Sequence, residues 1–336
     1  MDEAGDTVAK RRGSRRLGKA ALAAPLLIAV ALAILWLLRF ELARRYIDAE
    51  LASRGVRARY EISQIGFGTA AFEHVVIGDP LRPDLVADHV ELGLALRFTG
   101  PGIGAIGARG VRMNGRLEDG RLNFGQVDAL LGRPANAPFR LPDRGVELDD
   151  AALRLATRAG DLILALAGRG NLAGNFRGGL VLLAPALRLG PCRLEGVAAR
   201  LSLRVQDGRP RLHGPATTAR ATCVGAGAER PAFAVSLLFS PGLDQWRGAA
   251  RGGTPALRLE AARAAAADIH LTFEGDANRT AGHLDVALGT ASAGAASAFT
   301  GGYVFSARRG SLSLDLLHGG HAVSWRWLAE PAAANP

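Results

Sequence analysis

From Val56 onward, apolar and polar residues alternate along the chain with a period of two. The stretch VAARLSLRVQDG shows it best: Val197, Ala199, Leu201, Leu203 and Val205 fall on one side, Ala198, Arg200, Ser202, Arg204 and Gln206 on the other, before Asp207-Gly208. Successive side chains of a strand point to opposite faces, so this alternation predicts a strand with one oily and one wet face. The pattern returns in Phe233, Val235, Leu237 and Phe239. It returns again in Ile269, Leu271 and Phe273, set against Asp268, His270, Thr272 and Glu274, and in Leu284, Val286 and Leu288. Turn signals at Asp119-Gly120, Ala159-Gly160, Gly178-Gly179, Asp207-Gly208, Gly275-Asp276 and Gly301-Gly302 cut the region into short strands, as in an antiparallel meander. A single helical turn is expected at Arg263–Ala267.

The period differs before Val56. ELARRYIDAELASRG, Glu41 to Gly55, places Leu42, Tyr46, Ala49 and Leu51 near one face and predicts a helix over 41–55 that stops at Gly55. Ahead of it Ala20 to Leu38 carries no charge and has the length of a membrane-spanning helix. Lys10, Arg11, Arg12, Arg15, Arg16 and Lys19 stand before this run and Trp36 near its far end. This order predicts an uncleaved anchor with a cytoplasmic N-terminus, since the run exceeds a signal-peptide core and no small-x-small site comes after it before Arg39. The expected organisation is a basic segment 1–19, a transmembrane helix 20–38, the helix 41–55, an exported β-rich region 56–330 and a Pro/Ala-rich terminus 331–336.

An antiparallel sheet with one polar face must bury its other face against a second layer or a ligand. Few helical segments remain to cover it. Two solutions stay open: a sandwich or closed barrel filled by its own side chains, or an open curved sheet whose trough holds lipid chains. The 336 residues, 49% of them hydrophobic, suffice for a large core and exclude a disordered chain.

The net charge of +10 raises nucleic-acid binding, but the arginines are scattered singly between apolar residues, with no basic helix and no interleaved aromatics. No nucleic-acid partner is expected. GPGIGAIG contains G-x-G-x-x-G at Gly102, Gly104 and Gly107, yet the residues after it, ARGVRMNGRL, continue as strand and turn, whereas a dinucleotide loop must open a helix. His318 and His321 in HGGH have no third well-spaced ligand beyond the nearby Asp315, so no metal is expected. Asp149 and Asp150, as consecutive strand residues, face opposite ways and are wrong for joint acid–base work. No catalytic residue, cofactor or enzymatic activity is predicted. Cys192 and Cys223, the two cysteines, are either a disulfide of an oxidising compartment or two small buried apolar side chains.

The runs FEHVVIGDPLRPDLVADHVELGLAL and IGARGVRMNGRLEDGRLNFGQVDALL, within Phe72 to Leu131, carry a family pattern. It is a strand, an acid-proline turn, further strands and a "dG.lnf" hairpin. The chain resembles the AsmA-like envelope proteins here, most closely the YdbH branch alongside TamB. The similarity is strongest over residues 20 to about 175 and includes FRLPDRGVELDDAALRL at Phe139 to Leu155. Family members run longer, so the chain reads as the N-terminal part of one or as a short member. The resemblance implies a mainly β protein: an N-terminal transmembrane helix in the inner membrane, then an elongated antiparallel sheet in the periplasm, curved into an apolar groove that conducts phospholipid toward the outer membrane. In such a groove the lining candidates are Val197, Leu201, Leu203, Val205, Phe233, Val235, Leu237, Ile269, Leu271 and Phe273. An outer-membrane or periplasmic partner protein would receive the lipid. The rival function is an anchored scaffold that offers sheet edges to outer-membrane proteins during their assembly.

Overall fold

The computed structural model describes residues 38–328, apart from 67, 98–99, 119–120, 131–139, 260–261, 265, 277, 290–296 and 307–310. The anchor expected at 20–38, all but its last residue, and the terminus 331–336 lie outside the described residues. Among those described, no helix is long and apolar enough to cross a membrane. The chain divides into two compact units, Met1–Glu50 and Leu51–Pro336.

Helix α1 spans residues 38–53 and ends as the sequence predicts. Gly55 takes φ +67°, and the amides of Gly55 and Val56 return to the carbonyls of Ala52 and Leu51. These bonds occupy carbonyls that a helix terminus leaves open. After α1 the described residues form twenty-two strands, all in one hydrogen-bonded sheet: β1 (Ala58–Ile65), β2 (Thr69–Asp79), β3 (Arg82–Arg97), β4 (Gly100–Arg109), β5 (Arg112–Glu118), β6 (Arg121–Asn123), then helix α2 (Gln126–Leu130), β7 (Gly145–Thr157), β8 (Gly160–Asn171), β9 (Arg177–Leu189), β10 (Cys192–Gln206), β11 (Arg209–Thr217), β12 (Arg220–Cys223), β13 (Ala226–Glu229), β14 (Ala232–Phe239), β15 (Gln245–Thr254), β16 (Ala256–Leu259), β17 (Ala262–Ala264), β18 (Ala266–Asp276), β19 (Arg279–Gly289), β20 (Ser297–Ser306), β21 (Ser311–His318) and β22 (His321–Leu328). Several short strands continue one another. β4 and β5 run end to end beside β7, as β11 and β12 do beside β10, so the ladder has sixteen strand positions from β1 to β22.

Three expectations are corrected. Gly178-Gly179 and Gly301-Gly302, expected as turns, lie within β9 and β20, where a Cβ on Gly178 or Gly301 would meet a carbonyl of the neighbouring strand. The meander is interrupted: β7 pairs in parallel with β4 and β5, because the chain crosses back through α2 before re-entering the sheet. Parallel neighbours require such a crossover. The described residues of the helical turn expected at Arg263–Ala267 are strand instead, since β17 pairs with β16 and β18 is held between β15 and β19. Alanine's helix propensity yields there to the ladder on either side.

Other local readings match the structure. Asp79 closes β2, Pro80 and Leu81 make the turn, and the Leu81 amide donates to Asp79 Oδ1 at 2.9 Å. Gly319 and Gly320, at φ +56° and +84°, form the two-residue turn of the last hairpin, so HGGH is a turn with a histidine on either side. The G-x-G-x-x-G run lies within β4. Asp149 and Asp150 sit at a bulge in β7 and pair separately, with Arg109 at 3.2 Å and Arg112 at 2.6 Å. Cys192 and Cys223 are joined in a disulfide that ties the start of β10 to the end of β12.

Candidate functional site

Residues paired across a ladder share a face. Tracing the register from the first strand to the last therefore gives the side chains that line up across the sheet. One such row reads Ile62, Phe72, Val90, Ala108, Leu148, Gly168, Gly178, Leu203, Leu212, Leu237, Gly248, Phe273, Gly282, Tyr303, Leu314, Trp325. It crosses all sixteen positions without a charged residue. At about 4.8 Å per strand this is an apolar path of about 70 Å along the ladder. A parallel row continues Gly214, Val235, Ala250, Leu271, Leu284, Gly301, Leu316, Val323, with Leu201 beside Gly214. A third includes Ala199, Ala216, Phe233, Gly252, Ile269, Val286 and Phe299.

The structure thus gathers most of the sequence candidates into adjoining rows. Leu203, Leu237 and Phe273 share the first, Val235 and Leu271 the second with Leu201 next to it, and Phe233 and Ile269 the third. Leu201 packs with Ala199 and Leu212 in one apolar cluster against Leu203 and Leu237. Val197 lies at one end, beside the kink at Gly196 (φ +63°) and opposite Ala184. Val205 lies at the other end, 3% exposed. Its amide donates to the carbonyl of Phe176, which is itself wholly buried. Only Leu201 and Val205 of the ten are buried; the other eight are half-exposed. An apolar face packed against a second sheet would bury them.

Sequence reading missed the residues that reach this face from outside the strands. Phe124 and Val127, on the segment leading into and along α2, form a buried cluster with Val56 and Ile77, packed by Leu51, Leu85, Met113 and Leu153. The cluster covers one corner of the apolar face near β1, β2, β3 and β5. The "dG.lnf" motif holds it there: Asn123 Oδ1 accepts the Gly125 amide, Asp128 accepts the Phe124 amide at 2.7 Å, and Asp84 Oδ2 accepts the amide of Gln126 at 3.0 Å. A phenylalanine closing the "dG.lnf" motif is the available signal for Phe124. Phe176, in the segment before β9, has none.

From β10 to β22 the opposite face is mostly polar, whereas on β8 and β9 it carries the exposed Ile163 and Leu183. Its corresponding row reads Ser202, His213, Ser236, Ala249, Thr272, His283, Gly302, Asp315, Ser324. Here the Asp285 carboxyl is held below the ordinary carboxylate range, first by the hydrogen bond from the Thr300 hydroxyl and then by His283 and His270. On the apolar face, burial pushes the Tyr303 phenol up to about 12, and its hydroxyl donates to the carbonyl of Thr272. Among the described residues no group of three or more His, Cys, Asp or Glu side chains is arranged to hold a metal ion. The arrangement is therefore one of surfaces, an apolar face continuous across the ladder and a mostly polar face behind it from β10 to β22.

A family model described as YdbH-like, intermembrane phospholipid transport protein YdbH, matches residues 26–333. No curated protein and no solved structure gives a significant match.

Proposed function

We propose, since the chain belongs to the YdbH-like family of intermembrane phospholipid transport proteins, that its sheet forms a groove and that phospholipid acyl chains travel along the apolar face. The carrying observation is the first row: sixteen consecutive strand positions, all apolar or glycine, with Leu203, Leu237 and Phe273 only half covered. Transfer needs no bond chemistry. Each methylene that leaves water for such a surface gains about 0.8 kcal/mol, and successive equivalent positions hold the chain with similar strength, so movement from strand to strand meets no deep minimum. Val197, Leu201, Val205, Phe233, Val235, Ile269 and Leu271 complete the lining in this reading. The run 20–38 anchors the protein in the inner membrane with residues 1–19 cytoplasmic, the β region is periplasmic, and lipid moves toward the outer membrane, where a partner protein accepts it. No catalytic step is assigned to any residue.

The test is capture of cargo by the full chain. A photo-crosslinking residue at Leu237 is expected to trap phospholipid, identified by mass spectrometry. Capture of protein clients alone, at the edge strands β1 and β22, would replace this reading with the scaffold.

A further inference from the structure

Of the two long edges of the sheet, where the hairpins turn, one carries the turn at Asp207-Gly208 and the other the Cys192–Cys223 disulfide. Both carry arginines: at the disulfide edge Arg188 stands opposite Arg193, which is ion-paired to Glu195, and Arg220 lies between Glu195 and Glu229. On the polar face near the Asp207 rim, Arg169, Arg177, Arg204 and Arg211 stand directly opposite one another on β8, β9, β10 and β11. Like charges in register repel and weaken a sheet. All four are exposed, and none forms an ion pair with a described carboxylate. The strand arginines that do, Arg109, Arg112, Arg154 and Arg193, lie on β4, β5, β7 and β10, away from this rim; Arg188, Arg220 and Arg258, near the disulfide edge, are exposed without an ion pair as well.

The same rim holds a concavity of about 600 Å³ one strand farther on. Its lining comes from both faces of the sheet: Arg209, Arg247 and Arg279 from the polar side, Phe239 and Trp246 from the apolar side, with Ser240 in the connecting loop. Phe239 and Trp246 meet edge to face, ring centroids 6.5 Å apart. The three guanidinium groups share this corner with Glu274, directly opposite Arg247, with Asp244, which accepts the Ser240 hydroxyl, and with Asp276, which accepts the Arg279 amide; none of the three arginines is ion-paired to a described acid. A concavity with an aromatic wall on one side and guanidinium forks without ion-pair partners on the other suits an anionic amphiphile. Guanidinium groups bind phosphate oxygens through paired charged hydrogen bonds.

We infer that this pocket grips the phosphate of a phospholipid headgroup over the Asp207 rim, with Arg211, Arg204, Arg177 and Arg169 continuing the track as the acyl chains move along the apolar face. The inference rests on the lipid-carrying reading above and adds to it a headgroup site. It accounts for a self-repelling ladder, since a phosphate between neighbouring arginines turns repulsion into attraction.

The experiment uses the full chain in detergent, with fluorescent phosphatidylglycerol and, in parallel, a fluorescent diacylglycerol that has the same chains and no phosphate. In Arg209→Gln/Arg247→Gln/Arg279→Gln, phosphatidylglycerol affinity is expected to fall about tenfold or more while diacylglycerol binding and the melting temperature stay at wild-type values. The matching lysine triple variant is expected to recover part of the loss. Unchanged phosphatidylglycerol affinity in the glutamine variant overturns the headgroup site and leaves lipid carriage standing. Wild-type protein that binds neither lipid overturns lipid carriage itself, and the headgroup site with it. Inorganic phosphate that displaces the phospholipid at equal concentration would make the pocket a free-anion site and overturn the inference.

Discussion

At the scale of single residues, the apolar face depends on where side chains are absent as much as on where they are present. Gly248 stands between Leu237 and Phe273 in the first row, and a Cβ placed on it would lie 2.3 Å from the Ser236 carbonyl and 2.7 Å from the Phe273 ring. Gly282, on the other side of Phe273, would bring its Cβ against the Thr272 carbonyl. The two glycines leave the space beside the Phe273 ring free. Gly248→Val is therefore expected to shift the β14–β15 ladder as well as displace the ring and to cost about 1–3 kcal/mol, read as a lower melting temperature. Tyr303 gives a second residue-scale prediction. Its folded pKa of about 12 lies above the ordinary phenol value, so its contribution to stability is present below about pH 10 and is lost as pH rises from there to about 12. Tyr303→Phe should flatten that part of the stability curve, and the late tyrosinate absorbance should vanish with it.

At the scale of elements, the strands were legible because period-two alternation survives in single sequences wherever one face stays wet. β10, β14, β18 and β19 are the clearest cases. The bounds of β10, Cys192–Gln206, include every alternating position from Val197 to Val205. What the alternation leaves out is pairing order. The parallel return of β7 beside β4 and β5 results from the crossover through α2, and α2, Gln126–Leu130, is too short to show a helical period. The helical turn expected at Arg263–Ala267 fails for a related reason, since alanine favours helix locally and only the neighbouring strands impose extension. The candidate lining was legible on each strand but not its extent, because Ile62, Leu148 and Trp325 join Leu203 in one row only through the register. The segment around α2 supplies the test at this scale. Phe124 is 9% exposed over the apolar face, and its ring leaves no room for a Cβ at Gly115. Phe124→Ala is expected to cost about 3–5 kcal/mol through the lost contacts and the cavity. Asp84→Ala, which removes the acceptor of the Gln126 amide, should cost about 1 kcal/mol. Denaturant midpoints measured on both variants check the ranking.

At the scale of the whole molecule, the question is whether the apolar face is an interior or a surface, and a carboxylate placed on it answers differently in the two cases. An ion buried without a partner costs several kcal/mol, while one on a face open to water keeps most of its hydration. Leu203 and Leu237 are half-exposed, whereas Val205, two residues along β10 from Leu203, is 3% exposed and lies next to the buried Phe176. The same chain thus contains both environments within one strand. Val205→Asp is expected to destabilise the protein by several kcal/mol. Leu237→Asp, by contrast, should leave the melting transition close to wild type and still abolish bound phospholipid, because an acyl chain crossing β14 would have to strip water from the new charge. Thermal melting and extracted lipid, measured on the same preparations, give four values for the two variants. Retained melting with lost lipid at Leu237 is the signature of a face that is filled by cargo, and unfolding at Leu237 equal to that at Val205 would mean that the row is packed by the protein itself and carries nothing.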